Sequence, residues 1–116
     1  MALGVESRKE KKNVVVITVR GRLILTSGSR LLDEVKRAVD QGSQRLVVEL
    51  AEVDYIDSYG LGLMVACKTA VENQKGAVRF AGMTPKVFQL IANTNVHRYL
   101  DFDPDTPTAL ARLTGS

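Results

Sequence analysis

Short runs of β-branched residues alternate along this chain with longer stretches of helical periodicity, and that alternation most restricts the fold. Residues Asn13 to Arg20 form such a run, ending at Gly21, and read as a strand. Leu3 to Ser7 predict a weaker strand paired with it, with the basic cluster Arg8-Lys9-Glu10-Lys11-Lys12 as the turn between them. Further strands are expected at Arg45 to Leu50, at Ala77 to Ala81, and around Tyr99 to Phe102. Between them the spacing predicts helices. One follows the capping cluster Thr26-Ser27-Gly28-Ser29, turns Leu31, Leu32, Val35, Ala38 and Val39 inward, and ends at Gln41-Gly42. A second runs from Ser58 to about Asn73, before the turn Lys75-Gly76. A third starts at Thr84-Pro85 and carries Val87, Leu90 and Ile91; the last opens at Thr106-Pro107 with Leu110 and Leu113 inward. Strands separated by helices of this length need crossover connections. The expected class is therefore α/β, a mostly parallel sheet with an N-terminal antiparallel pair and about four helices.

At 116 residues the chain has the size of one domain, read here as residues 1–116 with a core of about 14–113. A formal charge of +3 is mild, and no aromatic residues interleave with the basic cluster, so nucleic acid is not an expected partner. No apolar run approaches the length of a membrane helix, and membrane insertion is not expected. The single cysteine, Cys67, falls inside a helical apolar pattern and fits a reducing, cytoplasmic setting.

The chemistry-bearing stretch is Asp57-Ser58-Tyr59-Gly60, where a strand and a short acidic loop (Glu52 to Ile56) give way to a helix. A serine there stands in a first helical turn, beside backbone amides that favour an anion. At 100° per residue, Gly60, Leu63, Met64, Cys67, Ala70 and Val71 share the face expected to meet the sheet. Ser58, Leu61, Gly62, Val65, Thr69 and Glu72 fall on the opposite face, so Leu61 and Val65 are expected as exposed apolar neighbours of the serine. Gly60 and Gly62 each cost about 1 kcal/mol inside a helix, which implies close approach of backbone to something above or below.

Catalysis is not expected. Ile56 stands where a Gly-x-Ser-x-Gly elbow needs its first glycine, and His97 is the only histidine, read as a surface residue. No ligand cluster suggests a metal, no glycine-rich loop suggests a nucleotide, and no cofactor is expected. A phosphoacceptor receiver would need paired acidic residues at the end of its first strand, where this chain has Arg20-Gly21 and Leu23-Ile24-Leu25.

The stretch Val53 to Leu63 resembles the signature of STAS domains, the anti-sigma factor antagonist family, and Val19 to Leu23 and Phe80 to Val87 support the resemblance. It implies a STAS-like fold. It implies Ser58 as phosphoacceptor, with Asp57, Tyr59 and Gly60 as its neighbours. Leu61, Gly62, Val65 and Thr69, together with Ile24 and Thr26 after the second strand, are implied as partner surface. The implied partners are an anti-sigma factor with serine kinase activity, bound by the unmodified protein, and a serine phosphatase; a weak homodimer is compatible with them. Two positions depart from the family pattern. Ile24 replaces an acidic residue found in many members, and Tyr59 replaces a small Ser or Thr. The alternative is a STAS subunit of a transport or other regulatory complex that works without phosphorylation.

Overall fold

The computed structural model describes residues 3–115. Its elements follow the expected order: β1 (Gly4–Lys9), β2 (Val14–Leu23), α1 (Leu25–Asp40), β3 (Arg45–Ile56), α2 (Ser58–Glu72), β4 (Ala77–Ala81), α3 (Pro85–Ile91), β5 (Phe102–Asp103) and α4 (Thr106–Thr114). The five strands lie side by side in chain order. β1 pairs antiparallel with β2, and every other pairing is parallel.

That order dictates the layers. Each parallel connection steps one strand further in the same direction, and right-handed crossovers then put all three connecting helices on one face. Along β2, Val15, Ile17 and Val19 point to that face, and along β3 Leu46, Val48 and Leu50 do; they share a core with Leu31, Val35, Met64, Cys67, Val87 and Ile91 of the helices. Among the described residues, the opposite face carries only α4. There Val14, Val16, Val47 and Ala81 pack against Ala109, with Leu110 and Leu113 half-buried beside them.

Where α4 stops covering that face, the sheet becomes polar. Glu49 accepts hydrogen bonds from Thr18 (2.8 Å) and Thr106 (2.5 Å) and pairs with Arg8 (3.4 Å). Asp103 is enclosed and paired with Arg79 (2.6 Å) and with Arg112 of α4 (2.9 Å). Burial pushes the Glu49 carboxyl up, but its three donors outweigh burial and hold it below the ordinary 4.5. A depressed carboxyl stabilises the fold above its unfolded pKa, and the contribution is lost as pH falls through the folded value. The urea midpoint should therefore fall below about pH 4.5, and Glu49→Gln should flatten that decline. A variant that loses stability with acid as steeply as the parent would take Glu49 out of this role.

Several boundaries differ from expectation. α1 starts at Leu25, so Thr26, Ser27 and Ser29 lie inside the helix, and Ile24 occupies the cap position. Ser27 still serves the turn, accepting from the Ile24 amide (3.4 Å) and donating to the Arg22 carbonyl (2.6 Å). The stretch Glu52 to Ile56 is not a loop but the end of β3, paired with Arg20–Leu23 across two register shifts. α4, by contrast, opens at Thr106 as expected, with Asp105 as its cap. The last strand is confined to Phe102–Asp103, and Arg8 and Lys9 belong to β1 rather than to the turn. His97 is half-buried, edge-on to Phe88 at 5.6 Å between ring centroids, rather than a surface residue.

Candidate functional site at the start of α2

Asp57 leaves β3 in an extended conformation and caps α2, its carboxylate accepting from the Gly60 amide at 2.8 Å. Ser58 is thereby the first helical residue, and it is exposed. The first-turn amides of Ser58 and Tyr59 have no acceptor among the described residues, as expected where a helix begins. An anion on the Ser58 hydroxyl would meet the positive end of the helix dipole.

What fixes this tip is contact with the end of β2. A Cβ on Gly60 would lie 1.9 Å from the Leu23 carbonyl oxygen, so α2 rests on β2 backbone to backbone. Gly60 therefore has the close approach expected of it. Gly62 does not: it is exposed, and a Cβ there would meet nothing within 4 Å.

Leu61 is a correction. It is only 4% exposed and belongs to the core, not to a free surface. Val65 is half-buried and packs on the same core. The reason lies in the layer: α2 packs on the sheet below and against α1 beside it, while Leu61 reaches toward Ile91 of α3. A helix flanked on both sides buries more than one stripe. The apolar groups that do face solvent near the serine are Tyr59 (59% exposed), Tyr55 (38%), Leu90 (46%) and Leu25 (60%).

Of these, Tyr55 and Leu90 border a groove of about 240 Å³ whose other walls include Asp57, Ser58, Leu61 and Thr94. Ser58 forms part of its rim, and Leu61 contributes only the remaining edge of its side chain. Arg22 stacks over the Tyr55 ring at 4.8 Å from its centroid, holding that wall in place. Ile24 is half-buried directly after Leu23, at this same end of the sheet, and Thr26 is exposed in the first turn of α1. Thr69 lies three turns along α2 with its hydroxyl donating to the Val65 carbonyl (3.1 Å), away from the groove. Tyr55 was legible in the alternation Val53-Asp54-Tyr55 had that stretch been read as a strand; Leu90, Thr94 and Leu25 come into place only through tertiary packing.

Cys67 is no nucleophile. Burial pushes its thiol up to about 12, despite the opposing influence of Lys36. Among the described residues no group of His, Cys, Asp and Glu could hold a metal ion, and no helix is long and apolar enough to cross a membrane.

The family model of the STAS domain matches residues 7–109. The chain belongs to the STAS domain family. As a STAS domain it is 25% identical over 93 residues to the anti-sigma-B factor antagonist of Bacillus subtilis strain 168, covering 80% of this chain and 84% of that protein. Its fold is also that of the anti-sigma factor antagonist SpoIIAA in its unphosphorylated form, with TM-score 0.79, 18% identity, and coverage of 97% of this chain and 98% of the other. The Bacillus cell fate determinant SpoIIAA in its phosphorylated form matches with TM-score 0.68 and 16% identity, over 94% and 98% of the two chains.

Proposed function

We propose that this STAS domain is an anti-sigma factor antagonist switched by phosphorylation of Ser58. Unmodified, it binds an anti-sigma factor that is also a serine kinase, in the cytoplasm, and so frees a sigma factor. Phosphorylated, it no longer binds, and a serine phosphatase restores it. The observation that carries this reading is an exposed Ser58 at an amide-rich helix start on the rim of an apolar groove. Relatives named as anti-sigma factor antagonists, one of them known in both phosphorylation states, support it.

The binding surface in this reading is revised by the packing. Tyr55, Tyr59, Leu25 and Leu90 supply the apolar contact, with Gly62 offering an open approach to the α2 backbone and Ile24, Thr26 and Val65 at its margins. Tyrosines suit such a surface, since each buries a large ring with few rotors to freeze. Asp57 acts as a positioning residue, holding the first turn so that the hydroxyl faces outward.

Incubation with the cognate anti-sigma kinase and ATP should place one phosphate on the domain, located at Ser58 by mass spectrometry. Ser58→Ala should incorporate none while keeping the parent's melting curve. Phosphate appearing on Ser58→Ala at the parent's level would remove Ser58 as the acceptor.

A further inference from the structure

We infer that the end of the sheet opposite Ser58 is a second docking surface, for an acidic protein segment that carries aliphatic side chains. β3 runs from Arg45 at this end to Ile56 at the serine end, in a molecule 32 Å long. Three connections meet at the Arg45 end, because Val14 of β2 and Ala77 of β4 both pair with Arg45. They bring together Lys11, Lys12, Arg45 and Lys75, all exposed. None of the four forms an ion pair among the described residues. Of the acidic side chains nearby among the described residues, Glu10 is held by Arg8 and Glu72 by Lys68, leaving Asp40. This end of the protein is thus distinctly positive.

Two cavities open beneath these cations, and Lys12 lines both. The first, of about 320 Å³, has Pro107, Leu110 and Ala111 as its apolar walls and Lys11 and Lys12 on its rim, with Thr114 and Glu10, the latter paired with Arg8, completing the lining. The second, of about 230 Å³, is polar and lies among Lys12, Asn13, Gln44 and Arg45. Lys12 is held there in the left-handed region, at φ 59°, followed by Asn13 at 63°. Asparagine tolerates that conformation; lysine accepts it at a cost, which places a charge where a turn alone would favour glycine.

Charge complementarity selects the occupant. Four cations without partners attract carboxylates, and an aliphatic trough between two lysines takes the apolar side chains of the same segment. Of the exposed large apolar residues, Tyr55, Tyr59, Leu25 and Leu90 border the serine end, and Tyr99 lies under Lys68 (4.4 Å to its ring centroid) and lines neither cavity; no aromatic among the cavity linings could insert into a bilayer or stack on a base. Separation by the length of β3 leaves this surface open whether or not a partner covers Ser58.

The probe is a fluorescently labelled amphipathic Glu/Leu peptide, followed by anisotropy with the full chain. Binding should weaken at least about tenfold between roughly 50 and 300 mM salt. The double variant Lys11→Glu/Lys12→Glu should lose about tenfold or more in affinity, while Ser58→Asp binds within about twofold of the parent. Lys12→Gly adds a readout that a structural role would not produce: unfolding at equal or higher urea, with weaker peptide binding. Unchanged binding by the charge-reversed protein would overturn the proposal. So would tighter retention of phosphatidylglycerol vesicles or duplex DNA than of the peptide, which would assign the charge to a different occupant. The peptide assay involves neither kinase nor phosphate, so its failure leaves the Ser58 switch standing, and the reverse also holds.

Discussion

Gly60→Ala should destabilise this domain by about 3 kcal/mol, out of a total that for such domains is roughly 5–15 kcal/mol. The added methyl carbon would sit 1.9 Å from the Leu23 carbonyl oxygen and 2.8 Å from its carbonyl carbon, with the Ile56 side chain at 3.2 Å. Two of those neighbours are backbone atoms inside a paired strand. They cannot rotate away as a flexible side chain could, so either α2 lifts or the end of β2 bends. Helix propensity works in the opposite direction, since alanine is favoured over glycine by about 1 kcal/mol in a helix interior, but the overlap is too deep for that to decide the sign. Gly62→Ala is the matched control. It lies two residues on, meets nothing within 4 Å, and should gain up to about 1 kcal/mol. Urea unfolding of both variants measures the contrast; equal midpoints for Gly60→Ala and the parent would mean that helix and strand are further apart than described. Lifting α2 would also displace Ser58, so Gly60→Ala should lose partner binding even at temperatures where it stays folded.

Phosphorylation of Ser58 should lower affinity for the anti-sigma factor about a hundredfold, a penalty of about 2.7 kcal/mol. Phosphate brings about −1.5 to −2 charges and a hydration shell to the rim of a groove bordered by Tyr55, Leu61 and Leu90, with the Asp57 carboxylate beside it. A partner seated on those groups must strip that shell or leave a gap. Within the free domain the same group is well placed, beside the open amides of the first turn and at the positive end of the dipole. The folded state should consequently change little, with Ser58→Asp melting within about 0.5 kcal/mol of the parent. Calorimetric titration of the anti-sigma factor into the unmodified, phosphorylated and Ser58→Asp forms separates the two effects. Full affinity in the phosphorylated form would sink blocked association. Weak affinity together with a large loss of stability would point instead to a switch by refolding.

The sequence told most where a local signal and the tertiary environment agree. Thr84 and Pro85 start α3 as expected, with the Thr84 hydroxyl accepting from the Val87 amide at 3.3 Å. Gly42 follows α1 with a φ of 95°, the conformation that ends helices. The turn at Lys75 and Gly76 and the limits of β4 are likewise local. Misreadings arose where neighbours overrule the local pattern. Glu52 and Asp54 looked like loop residues because they are charged, yet both are solvent-facing positions of a strand that outruns β4 and continues along β2. The Thr26-Ser27-Gly28-Ser29 cluster looked like a cap, but Ser27 hydrogen-bonds back to Arg22, and the helix begins earlier. Leu61 was placed outside by treating α2 as a helix resting on a sheet alone. It belongs to the core cluster that also takes in Ile91, thirty residues away in sequence, which no periodicity within α2 could reveal. The position of Ser58 itself was legible because a cap, a strand end and a helix start coincide there.

The lateral arrangement of the strands matches their order of emergence from a ribosome. A β1–β2 hairpin comes first, and each later βα unit adds to the outer edge left by the one before. No late segment has to wedge itself between partners already joined. Only α4 arrives last on the other side, closing over Val14, Val16 and Val47 once the sheet exists. Such a chain can assemble progressively during synthesis, with the nascent end always available to the next piece.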